Sequence, residues 1–257
     1  MRKKKPLHGS QSTSKSKIDY ELVFSSVKGK LVGHLSFGRK IYSIRKLGDY
    51  LSFIEINTSK IGECSNIENV FDKYIEKHDS YIPPEKLKNN KATTIKVLVL
   101  TSKKAHTYFS NQGIDKEAKV KSAIDLANSS YTKSGVDIQL EYVYSTDFSE
   151  NFNTKSSEDA FEKDLKLLSV NKEIRSSRKT NKADLVVALG YYKNSDSCGQ
   201  ALDIDAKITD AYALVDVTCI DTFSFAHEIG HLQGARHNLE EDDYAGYAHG
   251  HIVNDED

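Results

Sequence analysis

The stretch that decides the fold of this chain runs from residue 224 to residue 237. It reads Ser224-Phe225-Ala226-His227-Glu228-Ile229-Gly230-His231-Leu232-Gln233-Gly234-Ala235-Arg236-His237. The pattern is H-E-x-x-H followed by x-x-G-x-x-H, and on a helix His227 and His231 stand one turn apart on the same face. Two imidazoles placed in this way can bind one metal ion. Glu228 lies between them, where it can handle a proton of a metal-bound water.

The glycine at residue 234 indicates how a third histidine can reach the same site. Glycine tolerates positive φ, so the helix can end there and the chain can turn sharply. The turn would bring His237 back as a third nitrogen ligand. Three protein ligands leave one position of a tetrahedral zinc for water. The alternative is a histidine-rich helix end that binds no metal, and the matching spacing of Gly234 and His237 argues against it.

Length and composition restrict the class of protein. The chain has 257 residues, which suffices for one sizeable domain or two small ones. Hydrophobic residues make up 38% and charged residues 28%, as expected for a packed core. The net charge of −1 argues against a nucleic acid or an anionic membrane as partner, and no apolar run approaches the length of a membrane span. We expect a monomer.

The first part of the chain is predicted to be separate from the region of the motif. Residues 1–17 form a basic tail that we expect to be flexible, and no apolar h-region of a signal peptide follows it. Residues 18–64 are predicted to be β-rich, with three short strands near 31–37, 41–44 and 50–56. A meander of this size buries little by itself and needs a larger partner.

An isolated cysteine, Cys64, closes the β-rich region. A thiolate is a good zinc ligand and would displace the catalytic water, so Cys64 is a candidate inhibitory ligand of a propeptide. An ordinary free or buried cysteine is an equally good interpretation. Residues 65–93 are predicted to be an exposed linker with a helix in 67–78, and a processing site in this linker would release the domain at 94–257.

From residue 94 the pattern becomes that of a sheet with helices packed on it. Apolar strands are predicted at 95–100 and 184–189, and a half-buried strand at 136–142. A helix with apolar residues from Ile114 to Tyr131 should end at Gly135. A second helix carries Phe161, Leu165 and Leu168 and follows a capping box in 156–159. The order β-α-β-α-β favours an α/β fold.

The region from residue 94 resembles the reprolysin-like metzincin zinc metallopeptidases, and more narrowly it is similar to bacterial peptidyl-Asp metalloendopeptidases. Besides the zinc motif, the resemblance rests on residues 95–100, 125–131, 134–136, 183–187, 197–199, 225–226 and 247–250. It implies an α/β (α+β) fold with a twisted mixed sheet, an antiparallel edge strand, packed helices and a zinc-site helix. The first ninety residues are only loosely similar to a propeptide, which implies a latent precursor.

The resemblance also implies the chemistry. His227, His231 and His237 would bind one Zn²⁺, and Glu228 would be the general base of a secreted metalloendopeptidase. The substrate would be an extended peptide or protein, held by an edge strand through β-augmentation. We expect that edge strand at residues 212–218, immediately before the zinc helix.

Two cysteines, Cys198 and Cys219, bracket this expected edge strand. A disulfide between them would clamp both ends of the segment against the helix, and two unpaired thiols are the alternative. The pairing requires an oxidising compartment, which agrees with secretion although no signal peptide is visible in the chain.

One departure from the resembled family concerns the floor of the zinc site. Metzincins carry a Met-turn downstream of the third histidine, whereas Met1 is the single methionine here and the chain ends at Asp257. We therefore expect a chain truncated before the Met-turn, and a catalytically inert zinc-binding remnant becomes the alternative function. A metal-free interaction module is a third, weaker hypothesis. Asn238, where reprolysins often carry Asp, is a milder change.

Other possible ligands lie in the same half of the chain. Asp203, Asp205 and the acidic residues at 240–243 could bind Ca²⁺, but without EF-hand spacing solvated loop charge is the favoured interpretation. His249 and His251 are expected to lie outside the zinc shell.

Overall fold

A computed structural model gives the fold, and it describes residues 20–60, 63–64, 93–148, 160–192, 197–242 and 248–250. Several predictions lie outside the described residues: the basic tail at 1–17, the linker at 65–93 apart from Thr93, the helix in 67–78, the capping box in 156–159, and His251. Among the described segments, none of the helices combines the length and the apolar character needed to span a membrane.

The N-terminal region forms a four-stranded antiparallel sheet. Its strands are β1 (Tyr20–Val27), β2 (Lys30–Phe37), β3 (Lys40–Leu47) and β4 (Tyr50–Ile56). The sequence prediction of three strands was wrong, because it left out β1. The turn that joins β1 to β2 has positive φ at both central residues, 49° at Lys28 and 77° at Gly29. Such two-residue turns match the twist of the strands that they connect.

A six-stranded mixed sheet forms the centre of the molecule. Its strands are β5 (Glu63–Cys64), β6 (Thr93–Ser102), β7 (Ile138–Phe148), β8 (Leu185–Gly190), β9 (Ser197–Ala201) and β10 (Tyr212–Asp216). Their order across the sheet is β5-β9-β10-β8-β6-β7. β6, β7, β8 and β10 are parallel, whereas β9 is antiparallel to β10, and β5 runs parallel to β9. The predicted mixed sheet with an antiparallel strand at one side is confirmed.

Five α-helices lie in the described residues. They are α1 (Lys103–Asn111), α2 (Lys116–Lys133), α3 (Ala160–Val170), α4 (Lys172–Asn181) and α5 (Ser224–Leu232). The central strands of this sheet, β6 from Val97 onward, β8 and β10, are buried on both faces. The odd-numbered core residues of β6, β8 and β10 pack against α1, α2 and α5, and the even-numbered ones pack against α3 and α4. This alternation explains why these strands are apolar throughout.

The four-stranded sheet packs one face on α2, as expected for a meander that needs a larger partner. Ser25 of β1 donates a hydrogen bond from its Oγ to Asp125 Oδ2 at 2.6 Å. The Nζ of Lys133 lies 3.0 Å from Glu21 Oε1, at the other end of the same strand. The contact therefore includes polar pairs near both ends of β1.

The prediction that residues 212–218 form the edge strand was wrong. β10 lies inside the sheet between β8 and β9, and all of its residues are buried. A short apolar run fits any buried position of a sheet, so its periodicity does not tell a central strand from an edge strand. The antiparallel strand on this side is β9, and β5 pairs with the outer edge of β9.

Candidate metal centre

The helix α5 carries two histidines and a glutamate at the boundary between the core and the surface. Phe225, Ile229 and Leu232 recur at helical spacing and are buried in the core beside β10. This fixes the rotation of the helix. His231 is buried as a result, and His227 keeps an exposed edge.

The end of α5 turns the chain back, as the sequence predicted. Gly234 adopts a φ of +96°, in the region that glycine enters without a steric penalty. Its N–H donates to His231 O at 2.9 Å, and the N–H of Ala235 donates to Gly230 O at 2.9 Å. These two bonds form a Schellman motif, which satisfies the last carbonyls of the helix. The chain then enters the short strand β11 (Arg236–Asn238), which carries His237.

The Nε2 atoms of the three histidines converge on one point. The distance between the Nε2 atoms is 2.9 Å for His227 and His231, 3.1 Å for His231 and His237, and 3.3 Å for His227 and His237. Nitrogen ligands bound at about 2.1 Å in a tetrahedron lie about 3.4 Å apart. The observed spacing is therefore close to that of three ligands of one metal ion, and nitrogen donors of this kind suit zinc.

The surroundings keep two of these imidazoles uncharged. Loss of solvent around its ring nitrogens, and then the neighbouring imidazoles of His231 and His237, lower the pKa of His227 to about 4. Burial also lowers the pKa of His231, against the raising effect of its hydrogen bond to Ala235. Since only the neutral imidazole can bind a metal, this electrostatic setting favours ligation at neutral pH.

Backbone groups orient the rings. His231 Nδ1 lies 2.8 Å from the carbonyl oxygen of Ala235, so the Nδ1–H donates there and Nε2 is left with its lone pair. His237 is held through its main chain: His249, in the strand β12 (His249–Gly250), donates from Nδ1 to the carbonyl oxygen of His237 at 2.8 Å. β12 pairs with β11, which ties the third histidine to a later part of the chain.

Glu228 lies on the side of α5 that faces β9. Its side chain is buried, with 1% of its surface exposed. It contacts the backbone of Gly199 so closely that a Cβ atom at residue 199 would stand 2.6 Å from Glu228 Oε1. The carboxylate is therefore enclosed between the helix and the strand, on the same helix as His227 and His231.

The segment between β9 and α5 is cross-linked. Cys198 and Cys219 form a disulfide with a Cα–Cα distance of 5.5 Å, as predicted. Cys219 ends a 3₁₀ turn, Val217–Cys219, that follows β10, so the disulfide ties β9 to the approach to α5. Cys64 lies on the other side of β9. The pairing of β5 with β9 places the backbone of Cys64 opposite Gly199.

The acidic residues do not form a comparable site. Within the described residues, His227, His231 and His237 are the one group of side chains whose ligand atoms converge. Asp242 receives two hydrogen bonds from Arg236, at 2.8 and 3.0 Å. The possible calcium site, which the sequence analysis considered less favoured than solvated loop charge, is therefore unsupported.

A helix that supplies two histidines and a glutamate, a glycine turn and a returning third histidine together define the class of single-metal hydrolytic centres. Comparison with known proteins specifies the class further. Residues 117–238 match the reprolysin-like metallopeptidases of family M12B. This segment extends from α2 to β11 and includes the whole three-histidine centre. The family implies a bound metal.

Curated relatives agree with this assignment. The peptidyl-Asp metalloendopeptidase of Stenotrophomonas maltophilia strain K279a is 32% identical over 228 residues, which cover 86% of this chain and 52% of that protein. The same enzyme of Xanthomonas campestris pv. campestris is 29% identical over 232 residues, covering 86% of this chain and 53% of that protein. The chain is thus similar to the reprolysin-like metallopeptidases over residues 117–238 and to peptidyl-Asp metalloendopeptidases over most of its length, while it spans about half the length of these relatives.

Among solved structures, metalloproteinase-II from Bacteroides fragilis aligns with 88% of this chain and 74% of that chain, at 17% identity. The TM-score is 0.41.

Two residues at the centre were given no role by the sequence analysis. Gly199 was identified in the matching segment 197–199, yet a glycine in a strand does not indicate which side chain approaches it. His249 was placed outside the zinc shell, and its contact with His237 is through the main chain. Neither relation has a local signal, because each joins segments that are distant in sequence.

Proposed function

We propose that this chain is a zinc endopeptidase in which His227, His231 and His237 hold the metal and Glu228 is the general base. The observation that carries the proposal is the convergence of three Nε2 atoms within 2.9–3.3 Å of one another, with a buried carboxylate on the same helix. The match to the reprolysin-like metallopeptidases supports it.

In this mechanism the residues of the chain hold the metal and move one proton. Zinc, when bound, supplies a water whose pKa is lowered to about 7 and polarises the scissile carbonyl. Glu228 would be the residue that takes the proton of the attacking water and passes it to the leaving amine. Enclosure between α5 and β9 fixes the carboxylate, which is what a proton carrier between two defined atoms requires.

The substrate is an extended peptide or protein that lies along β9. This strand borders the centre, because Gly199 contacts Glu228. A strand edge offers N–H and C=O groups to a peptide in extended conformation. The curated relatives are named peptidyl-Asp metalloendopeptidases, so peptides that contain Asp are the first substrates to test.

The chain is made as a latent precursor. Support comes from β5, which occupies the outer edge of β9 with Glu63 opposite Ser197 and Cys64 opposite Gly199. A peptide cannot pair with an edge that is already paired, so β5 has to leave before substrate binds. Cys64 is a candidate inhibitory ligand, with an ordinary cysteine as the alternative. The disulfide Cys198–Cys219 supports an oxidising compartment, and hence secretion, and a monomer remains our expectation.

Metal analysis and a casein assay test the central part of the proposal. We expect one zinc per chain in the purified protein, loss of zinc in His231→Ala, and casein hydrolysis that Glu228→Gln abolishes without loss of zinc. A protein without zinc would be the metal-free interaction module. Bound zinc with equal rates for wild type and Glu228→Gln would identify the inert remnant.

Latency is tested by processing. Activation should produce a new N-terminus within residues 65–93, detected by mass spectrometry, together with a rise in activity. Cys64→Ala should raise the activity of the unprocessed chain if the thiolate is the inhibitor, and Cys64→Ala without effect would leave only β5 as the obstacle. An intact chain with full activity would contradict latency.

A further inference from the structure

Gly199 stands where a side chain would overlap Glu228. A Cβ atom built on Gly199 would lie 2.6 Å from Oε1, 2.8 Å from Cγ and 2.9 Å from Cδ of Glu228. Contacts of a Cβ atom under 3.0 Å are essentially never observed. Because three atoms of the glutamate lie within this limit, a rotation of the carboxylate alone would not relieve the overlap.

The backbone does not by itself require glycine here. Gly199 is a strand residue of β9, and it is absent from the glycines that adopt positive φ. Glycine in the interior of a strand weakens it and often marks a place where another group approaches closely. At this place the group that approaches is the side chain of Glu228.

The strand cannot move away to make room. Gly199 pairs with Val215 of β10 on one side and with Cys64 of β5 on the other. The residue before it, Cys198, is cross-linked to Cys219. Any side chain at residue 199 therefore has to displace Glu228 rather than β9.

We propose that Gly199 is a positioning residue: the missing side chain provides the space that places the carboxylate of Glu228 beside the three-histidine centre. The effect of Gly199 on catalysis rests on the proposed function. Its effect on the position of Glu228 rests on the contact between β9 and α5. This role of Gly199 also gives a reason for the disulfide that ties β9 to the approach to α5, since a fixed distance between β9 and α5 fixes the space for the carboxylate.

The test is Gly199→Ala, made as the full chain for the measurements of zinc and Tm and processed within residues 65–93 for the measurement of kcat. We expect the zinc content to stay at the wild-type level, because the added methyl group meets the glutamate and not a histidine nitrogen. The displaced carboxylate should lower kcat by roughly 10- to 100-fold. Overpacking should lower Tm by about 5 °C.

A matched control is Gly230→Ala on α5, one residue before His231. A Cβ atom there meets only the Cβ of Ala235, at 3.7 Å, which is an ordinary contact. Since alanine favours a helix more than glycine does, zinc content and kcat should equal those of wild type and Tm should not fall.

A double variant separates the contact from the catalytic role. Glu228→Asp shortens the side chain by one methylene and opens the space, so Gly199→Ala should cost much less Tm in the Glu228→Asp background than in wild type. If the single variant does not fold, recovery of a folded protein in the double variant is the same result. Equal Tm losses in both backgrounds, or an unchanged kcat in Gly199→Ala, would overturn the inference. A wild type without peptidase activity would contradict the proposed function, and the Tm comparison would still decide the contact.

Discussion

At the scale of single residues, the three candidate metal ligands could be predicted from the sequence, but the hydrogen bonds that hold them in place could not. The spacing of His227 and His231 and the φ preference of Gly234 are local properties, and both predictions agree with the observed turn. The bond from His249 to the carbonyl of His237 could not be predicted, because it depends on how β12 pairs with β11. Residues that support metal ligands commonly have this non-local character.

His249→Ala tests that support. Removing the donor frees the main chain of His237, so we expect the zinc dissociation constant to rise by about 10-fold, within the range found for residues that support metal ligands. Competition with a chelating dye measures it. His106→Ala, at an exposed position of α1, is the control and should leave the constant unchanged. Equal constants for the two variants would contradict a supporting role for His249.

At the scale of elements, apolar periodicity predicted those helices and strands that bury several residues. α2 buries a long stripe and was predicted with its end at Gly135. α1 was missed because it buries only Ala105 and Phe109, and α4 because it buries only Ile174 and Arg178. A single pair of buried residues does not define a period, so such helices form through tertiary packing and capping.

The contact between the four-stranded sheet and α2 contains a buried charge. Lys119 of α2 is 3% exposed, forms an ion pair with Asp221 and donates to Ser43 Oγ of β3 at 3.3 Å. Lys119→Met leaves Asp221 without its counter-charge, and we expect the free energy of unfolding to fall by about 2–4 kcal/mol in urea denaturation.

The control for this prediction is an ion pair that also joins the four-stranded sheet to α2, but at the surface. Lys28, in the turn after β1, pairs with Glu117 of α2 at 2.9 Å, and both side chains are largely exposed. Exposed pairs of this kind contribute little to stability, so Lys28→Met should leave the urea midpoint almost unchanged. Similar losses in Lys28→Met and Lys119→Met would show that the burial of Lys119 has no special weight.

At the scale of the whole molecule, the fold class predicted from the sequence was right, but the predicted position of one strand in the sheet was wrong. It predicted a mixed sheet with helices and a β-rich region in front, but it placed β10 at the edge. The order of strands is decided by long-range pairing, and β5 shows this most clearly: its two residues, Glu63 and Cys64, pair with β9, which lies more than 130 residues later in the chain. No local pattern in residues 63–64 indicates that partner.

His34 of β2 makes the contact between the four-stranded sheet and the segment before α5 sensitive to pH. Its ring is 1% exposed, packs edge-on against Phe223 and faces Asp221 and Lys119. Burial, the largest influence, lowers the pKa of His34. Below about pH 6.5, His34 therefore binds a proton in the unfolded chain but not in the folded chain. The contribution of His34 to the free energy of unfolding is fully present above about pH 6.5, and it is lost as the pH falls from there towards the lower pKa of the folded state.

His34→Phe keeps an aromatic ring without a titrating group. Urea denaturation between pH 5 and pH 8, at steps of about half a unit, should give a steeper loss of stability below about pH 6.5 for wild type than for His34→Phe. All other groups are the same in both proteins, so their contributions cancel in the difference. Identical pH dependence of the two proteins would contradict the role of His34.

The most direct test of the central claim compares hydrolysis of one peptide by wild type and by Glu228→Gln, each processed within residues 65–93 and each carrying one zinc per chain. If Glu228 is the general base of a zinc peptidase, the variant should keep its zinc and lose about 10²- to 10⁴-fold in kcat. Equal kcat values at equal zinc content would contradict the claim.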